Sequence, residues 1–190
     1  FLASCFDIES VKTYLKFKPK YIKIPSGEIT NHQLLEFVGK RKKKVIISTG
    51  MSNLKEVKEA INIIVKAGTK KKNITLLQCT TDYPADLKES NLNCIKTFKN
   101  KIKTNVGFSD HTTGNIASVI AISLGASIIE KHFTLNKKMK GPDHLASMNF
   151  SEFKNFVKKI KLANLALGEN IKKPTFKELK NLKFVRKSIY

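Results

Sequence analysis

The sequence predicts an α/β fold on a parallel sheet, more narrowly strands 3 to 8 of a (β/α)8 TIM barrel. Three observations lead there. Short apolar runs alternate with amphipathic segments at roughly 20–30-residue spacing, the rhythm of βα units. The runs are rich in Ile and Val and mostly do not alternate polar with apolar, as strands covered on both faces do not. Polar side chains stand at the C-terminal end of every run: Ser4, then Lys23 and Ser26, Ser48 and Thr49, Thr80 and Thr81, Ser109 and His111, and Lys131 and His132. A barrel gathers all its strand ends onto one site. A doubly wound sheet concentrates them at one switch point and usually carries a glycine-rich phosphate turn. Neither G-x-G-x-x-G nor a Walker A motif occurs here.

The expected strands are residues 1–4, 21–24, 44–48, 74–78, 104–108 and 127–130. A complete barrel takes about 250 residues. Six strands in 190 residues therefore leave two to lie ahead of residue 1, so the chain reads as a fragment. Between the strands, Leu54, Val57, Ile61, Ile64 and Val65 recur at helical spacing, with Ser52 or Asn53 to cap the start and Gly68 to end it. A more buried helix is bounded by Gly114 and Gly125. A third sets Phe153, Phe156, Val157, Ile160 and Leu165 opposite a lysine face.

Composition narrows the class. There is no apolar run of membrane-spanning length and no signal-peptide pattern. Three scattered cysteines without C-x-x-C spacing argue against a disulfide framework or a zinc knuckle and fit a reducing cytoplasm. The net charge of +21 invites a polyanion-binding reading. Of the 36 basic residues, however, only Arg41 and Arg186 are arginine, the residue that reads base edges. A solvated lysine coat is the expectation, with no specific nucleic-acid partner and no membrane partner.

The chemistry is expected at the strand ends. His111 and His132 each follow a strand, and two neutral imidazoles at adjacent strand ends suit a divalent transition metal with open positions left for substrate. His32 reads as a surface helix residue, and His144 lies in a long polar connection. Lys23 has apolar flanks, unlike most lysines here, and suits an anion ligand or a Schiff-base lysine. Ser26 and Gly27 beside it favour the anion, since a hydroxyl and backbone N–H groups next to a lysine make a phosphate cradle. Ser48 and Thr49 repeat that pattern ahead of a helix start. Tyr83, and Asp143 in the long connection, are candidates to contact a substrate. Three readings stay open on the residues alone: metal-assisted chemistry on a phosphorylated substrate, a Schiff-base aldolase using Lys23 or Lys131, and a basic polyanion-binding protein.

Six stretches, YIKIPSGEI, IISTGMSN, LLQCTTDYPA, GFSDHTTG, IIEKHFTL and GPDHLASMNFSEF, run in order over essentially the whole chain. Together they resemble the sialic acid synthases, the group that includes N-acetylneuraminate, legionaminate and pseudaminate synthases. The resemblance implies a barrel over residues 1–172 and, over 173–190, a linker toward a C-terminal antifreeze-like domain, in a domain-swapped homodimer. It implies condensation of phosphoenolpyruvate with an N-acetylated hexosamine such as N-acetylmannosamine, giving a nine-carbon 2-keto acid and phosphate. By the same resemblance His111 and His132 match metal ligands, for Mn2+ with Mg2+ or Co2+ as alternatives. Ser4, Lys23, Ser26, Ser48, Thr81 and Ser109 match the phosphoenolpyruvate site, and Tyr83 and Asp143 the acceptor sugar. Thr81 stands where some members carry Asn, ASC replaces the common STP around Ser4, and the catalytic Glu of the family's first strands has no counterpart here.

Overall fold

The structure, a computed structural model, describes residues 2–186. Five parallel strands form one sheet: β1 (Tyr21–Ile24), β2 (Lys44–Ser48), β3 (Ile74–Cys79), β4 (Asn105–Asp110) and β5 (Ile128–Lys131). Each strand lies beside the next in chain order. Right-handed crossovers between consecutive neighbours put every connecting helix on the same face of the sheet. That is barrel winding, since a doubly wound sheet must reverse its order partway.

The helices are α1 (Ile8–Leu15), α2 (His32–Gly39), α3 (Leu54–Lys66), the short α4 (Cys94–Thr97) extended by a π turn over Phe98–Ile102, α5 (Ile116–Ser123), α6 (Phe150–Leu167) and α7 (Phe176–Val185). Asn53 and Asn149 close reciprocal capping boxes with Glu56 and Glu152, which satisfies the first free N–H groups of α3 and α6. The strand residues that face the helices form the main core, among them Ile22, Ile24, Val45, Ile47, Leu76 and Phe108. On the inner face, Ile46 and Leu77 are also buried and form a floor below the polar strand ends.

Two expectations change. The strand expected at 1–4 is not a strand: Ser4 makes a single parallel bridge to Lys23, backed by one bond from the Cys5 N–H to the Lys23 carbonyl. Asp7 then caps α1 at once, so the chain turns away before a ladder can form. Phe1 lies outside the described residues. Strands β4 and β5 are also displaced toward their C-terminal ends relative to the expected ranges, and carry Asp110 and Lys131 into the sheet. Within 173–190, α7 is helical and residues 187–190 lie outside the described residues.

The closeness of β4 to its neighbours rests on Gly107. A Cβ built there stands 2.5 Å from both the Ile128 carbonyl oxygen and a Leu77 methyl. The Ile128 carbonyl is strand backbone and cannot retreat without opening the sheet. Gly107→Ala is expected to destabilise the fold by about 2 kcal/mol, as overpacked cores do, measured as a lowered urea midpoint at unchanged slope.

Candidate active site at the strand ends

The pairing of β4 with β5 explains why the two histidines recur in step. Ser109 lies opposite Glu130 and Asp110 opposite Lys131, a constant offset that brings His111 and His132 to the next rung. Side chains alternate faces along a strand. Ser109 with Glu130, and His111 with His132, therefore point into the mouth, while Asp110 and Lys131 point toward the helices.

The outward rung is a buried ion pair. The Lys131 Nζ stands 3.1 Å from Asp110 Oδ1, and the two side chains are 3 % and 0 % exposed. Both oxygens of that carboxylate are engaged. The Thr112 N–H and hydroxyl donate to Oδ1 at 2.8 and 2.7 Å, and the Ser118 hydroxyl of α5 donates to Oδ2 at 2.5 Å. Lys131 also donates to the Thr112 carbonyl, so its contacts bracket His111 in sequence. Burial pulls the Lys131 ammonium below its ordinary range, against the opposing pull of Asp110.

On the inward side the His111 and His132 ring centroids are 5.2 Å apart, nearly perpendicular, with the Tyr83 ring 4.1 and 5.2 Å from them. His111 Nδ1 lies 2.7 Å from the Thr80 carbonyl. A carbonyl only accepts, so Nδ1 carries the hydrogen and Nε2 keeps its lone pair. The Ser109 hydroxyl, 3.4 Å from Nε2, donates instead to Glu130 at 2.7 Å. Burial pushes His111 below its ordinary value of 6.5; the Thr80 bond opposes this, while His132 adds to it. Two imidazoles ligating one divalent ion on bonds of about 2.1 Å would have ring centres about 5 Å apart, so His111 and His132 are the residues that would hold one. Among the described residues no group of three or more His, Cys, Asp or Glu is placed to hold an ion.

Below the histidines lies a cationic cradle. Lys23 is 3 % exposed; its Nζ donates to Ser48 Oγ at 2.8 Å and lies 3.5 Å from Glu130 Oε1. The Gly50 N–H donates to Ser26 Oγ at 3.0 Å. A Cβ on Gly50 would stand 2.1 Å from Thr81 Oγ1 and 2.9 Å from Ser26 Oγ, so glycine is what allows Ser26 and Thr81 to close on the backbone. Ser4 shares the Lys23 face through its bridge. Asp143 Oδ2 approaches His132 Nδ1 at 3.8 Å. The long connection that carries Asp143 is tied back by the Met148 N–H to the His132 carbonyl. The expected site residues thus fall into one cluster, except Lys131, which pairs outward with Asp110, and Thr49, whose hydroxyl donates to the Leu77 carbonyl. His144 lies 2.7 Å from the Thr134 hydroxyl within that connection, and His32 is exposed on α2 beside Glu59.

Sequence reasoning assigned no role to Glu130, Asp110 or the Thr80 carbonyl. The constant offset of 21 between SDH and EKH was the available signal. In a parallel pair that offset makes Ser–Glu, Asp–Lys and His–His facing rungs.

Breaking the outward rung should be costly. Asp110→Asn or Lys131→Met alone is expected to lose about 3–5 kcal/mol in denaturant titration, because each strands a buried charge; the double variant Asp110→Leu with Lys131→Met is expected to lose less than the two singles together. In metal-free protein followed by imidazole NMR, His111 should titrate below 6.5. Since the fold favours its neutral form, that stability is present above the unfolded value near 6.5 and is lost as pH falls through the folded value.

The chain is 49 % identical to the N,N'-diacetyllegionaminic acid synthase of Campylobacter jejuni over all of its own length and 57 % of that protein's. It is 33 % identical to the human N-acetylneuraminate-9-phosphate synthase, with 90 % of the chain matched to 47 % of that protein. In structure it superposes on the N-acetylneuraminic acid synthetase of Leptospira borgpetersenii, solved with citrate, with a TM-score of 0.87 at 29 % identity, covering 96 % of this chain and 63 % of that one. The chain spans about half the length of the curated relatives it matches. The model of the NeuB family matches residues 1–172. By that match and these identities, the chain belongs to the NeuB family.

Proposed function

We propose that the protein joins phosphoenolpyruvate to the open-chain aldehyde of an N-acetylated hexosamine, giving a nine-carbon 2-keto sugar acid and phosphate. The observation that carries this reading is the stack of inward rungs: a His111–His132 pair directly above the Ser109–Glu130 pair, with Lys23 and Ser48 bonded beneath. An electrophile and a phosphate are thereby served a few ångströms apart. The names of the relatives, synthases of legionaminic, pseudaminic and N-acetylneuraminic acids, support the product class.

In the proposed reaction C3 of phosphoenolpyruvate attacks the sugar aldehyde carbon, forming the new C–C bond, and the aldehyde oxygen takes up a proton. Water adds at C2, and cleavage of the C2–O bond releases phosphate and leaves the keto group. The Lys23 ammonium, the hydroxyls of Ser26, Ser48, Ser109 and Thr81, and Ser4 on the same face hold the phosphate as charge builds. Glu130 fixes the Ser109 hydroxyl and shares Lys23, so the ammonium is partly neutralised until phosphate arrives. A divalent ion held by His111 and His132, Mn2+ or else Mg2+ or Co2+, would supply Lewis-acid polarisation of the aldehyde. Tyr83, kept protonated by burial, and Asp143 are the proposed contacts to the acceptor. A cavity of about 500 Å³ lies on the outward side of Tyr83, between the long connection and α6, lined by Lys131, Ser147 and Phe156 among others, and is separate from the mouth that holds the histidines.

The Schiff-base alternative fares unevenly. Lys131 faces away from the mouth and is locked to Asp110, which removes it as a nucleophile into the site. Lys23 points inward, donates to Ser48 and lies beside Glu130, so trapping by borohydride decides its role.

The test is phosphate release by the full-length protein from phosphoenolpyruvate and a panel of N-acetylated hexosamines. Lys23→Met, His111→Ala and His132→Ala are each expected to lower turnover at least about hundredfold, with the histidine variants also losing bound metal. No trapping by borohydride with a keto acid is expected. Phosphate release indifferent to all three substitutions, or covalent trapping on Lys23, would reject the reading.

A further inference from the structure

The connections that enter the strands lie at the end of the sheet opposite the histidines. Four consecutive ones, residues 16–20, 40–43, 67–73 and 98–104, hold thirteen lysines and arginines and no carboxylate. The connections that leave the strands, 25–31, 49–53, 80–93, 111–115 and 132–149, hold four lysines against five carboxylates. A uniform lysine excess would have coated both ends alike, so the charge is polarised along the strand axis. Helix dipoles attract cations to helix C-termini, which lie at this same end. That accounts for Lys16, Lys40, Lys99 and Lys101 but not for Lys42 and Lys43 or Lys70 to Lys72, which lie beyond the last helical turns.

The rim keeps its charge unneutralised and at a backbone cost. Its basic residues are all exposed except the half-buried Lys43. Among the described residues only Lys40 has an ion-pair partner, Glu36. Lys18, Lys42 and Lys103 sit in left-handed backbone at φ 51, 55 and 58°, each two or three residues ahead of a strand. Glycine or asparagine suits that conformation better. Gly68 and Gly125 have positive φ in the other two connections. At three positions, then, the chain carries a lysine where the backbone favours glycine.

Strands about 4.8 Å apart make four adjacent connections an array roughly 15 Å across, a flat end face rather than a groove. Ammonium groups on flexible stems match a diffuse anionic plane, whereas base edges call for guanidinium forks. Phe17 is 69 % exposed between Lys16 and Lys18, and the ammonium groups of Lys20 and Lys44 lie 5.7 and 5.6 Å from the Tyr21 ring. Aromatic rings among lysines are the composition of a membrane–water interface. Among the described residues no helix is long and apolar enough to cross a membrane, so any attachment through them is peripheral. We propose that this lysine rim seats the protein on an anionic phospholipid surface, with the catalytic mouth facing away from it.

The experiment is co-sedimentation of the full-length protein with vesicles of phosphatidylcholine alone or with about 30 % phosphatidylglycerol, in about 0.15 M salt. Binding is expected to the anionic vesicles, and at least about tenfold weaker to the neutral ones or at about 1 M salt. The variant Lys42→Glu, Lys70→Glu, Lys72→Glu should lose at least about tenfold in partitioning, while Lys154→Glu, Lys158→Glu, Lys161→Glu on α6, an equal change of net charge, should keep most of it. Circular dichroism checks that both fold, and the milder Lys→Gln triples should rank in the same order. Absence of binding to anionic vesicles overturns the proposal, as does equal loss in the two triples. Rim-dependent binding to a short RNA without vesicle binding would overturn it too, reassigning the rim to nucleic acid.

Discussion

The ends of β4 and β5 are held together by a buried ion pair, Asp110 against Lys131, and the functional face depends on it. Side chains alternate with a period of two, so a slip of one residue between these strands would turn His132 and Glu130 toward the helices and Lys131 into the mouth. An apolar pair of the same volume would bury as well. It would not distinguish one register from the next, whereas a carboxylate that accepts from Thr112, Ser118 and Lys131 is satisfied in only one. The pair also joins layers, since Ser118 belongs to α5 and the Lys131 ammonium lies 6.0 Å from the Phe156 ring of α6. Strand register, helix position and histidine placement are thus coupled through one carboxylate.

The inward rungs carry the opposite economy of charge. Lys23 is as buried as Lys131 but is partnered by a hydroxyl and a more distant carboxylate, 3.5 Å away. Its charge is only partly compensated, which leaves a cation available for the phosphate of the proposed reaction. His111 is held neutral by burial and oriented by the Thr80 carbonyl, so its lone pair is presented to the mouth without competition from a strong donor. Membership of the NeuB family, and relatives named as synthases of legionaminic acid and N-acetylneuraminate 9-phosphate, are in keeping with the proposed condensation.

Much of this was legible in the sequence, for physical reasons that differ by element. The five strands were found because strands buried on both faces must be continuously apolar, and α3 because its apolar residues keep a strict helical spacing between Asn53 and Gly68. Histidines, lysine and serines at strand ends were legible because a parallel sheet sends all its C-terminal ends to one side. The first expected strand was misread because FLAS has strand composition, while the Asp7 cap that ends it acts from three residues further on. Glu130 was passed over because one carboxylate in EKH reads as a surface residue until its strand partner is known.

The sequence by itself determined which residues could do chemistry and that they would share one end of a parallel sheet, because periodicity and strand direction are local properties of the chain. Only the tertiary structure decided which of them meet. Lys23 and Glu130 are 107 positions apart and come within 3.5 Å because of strand order, and Asp110 and Lys131 pair because of register. The polarity of the lysines likewise emerged only in three dimensions. Along the chain they look scattered, and the alternation of helix and strand collects them at the end away from the histidines.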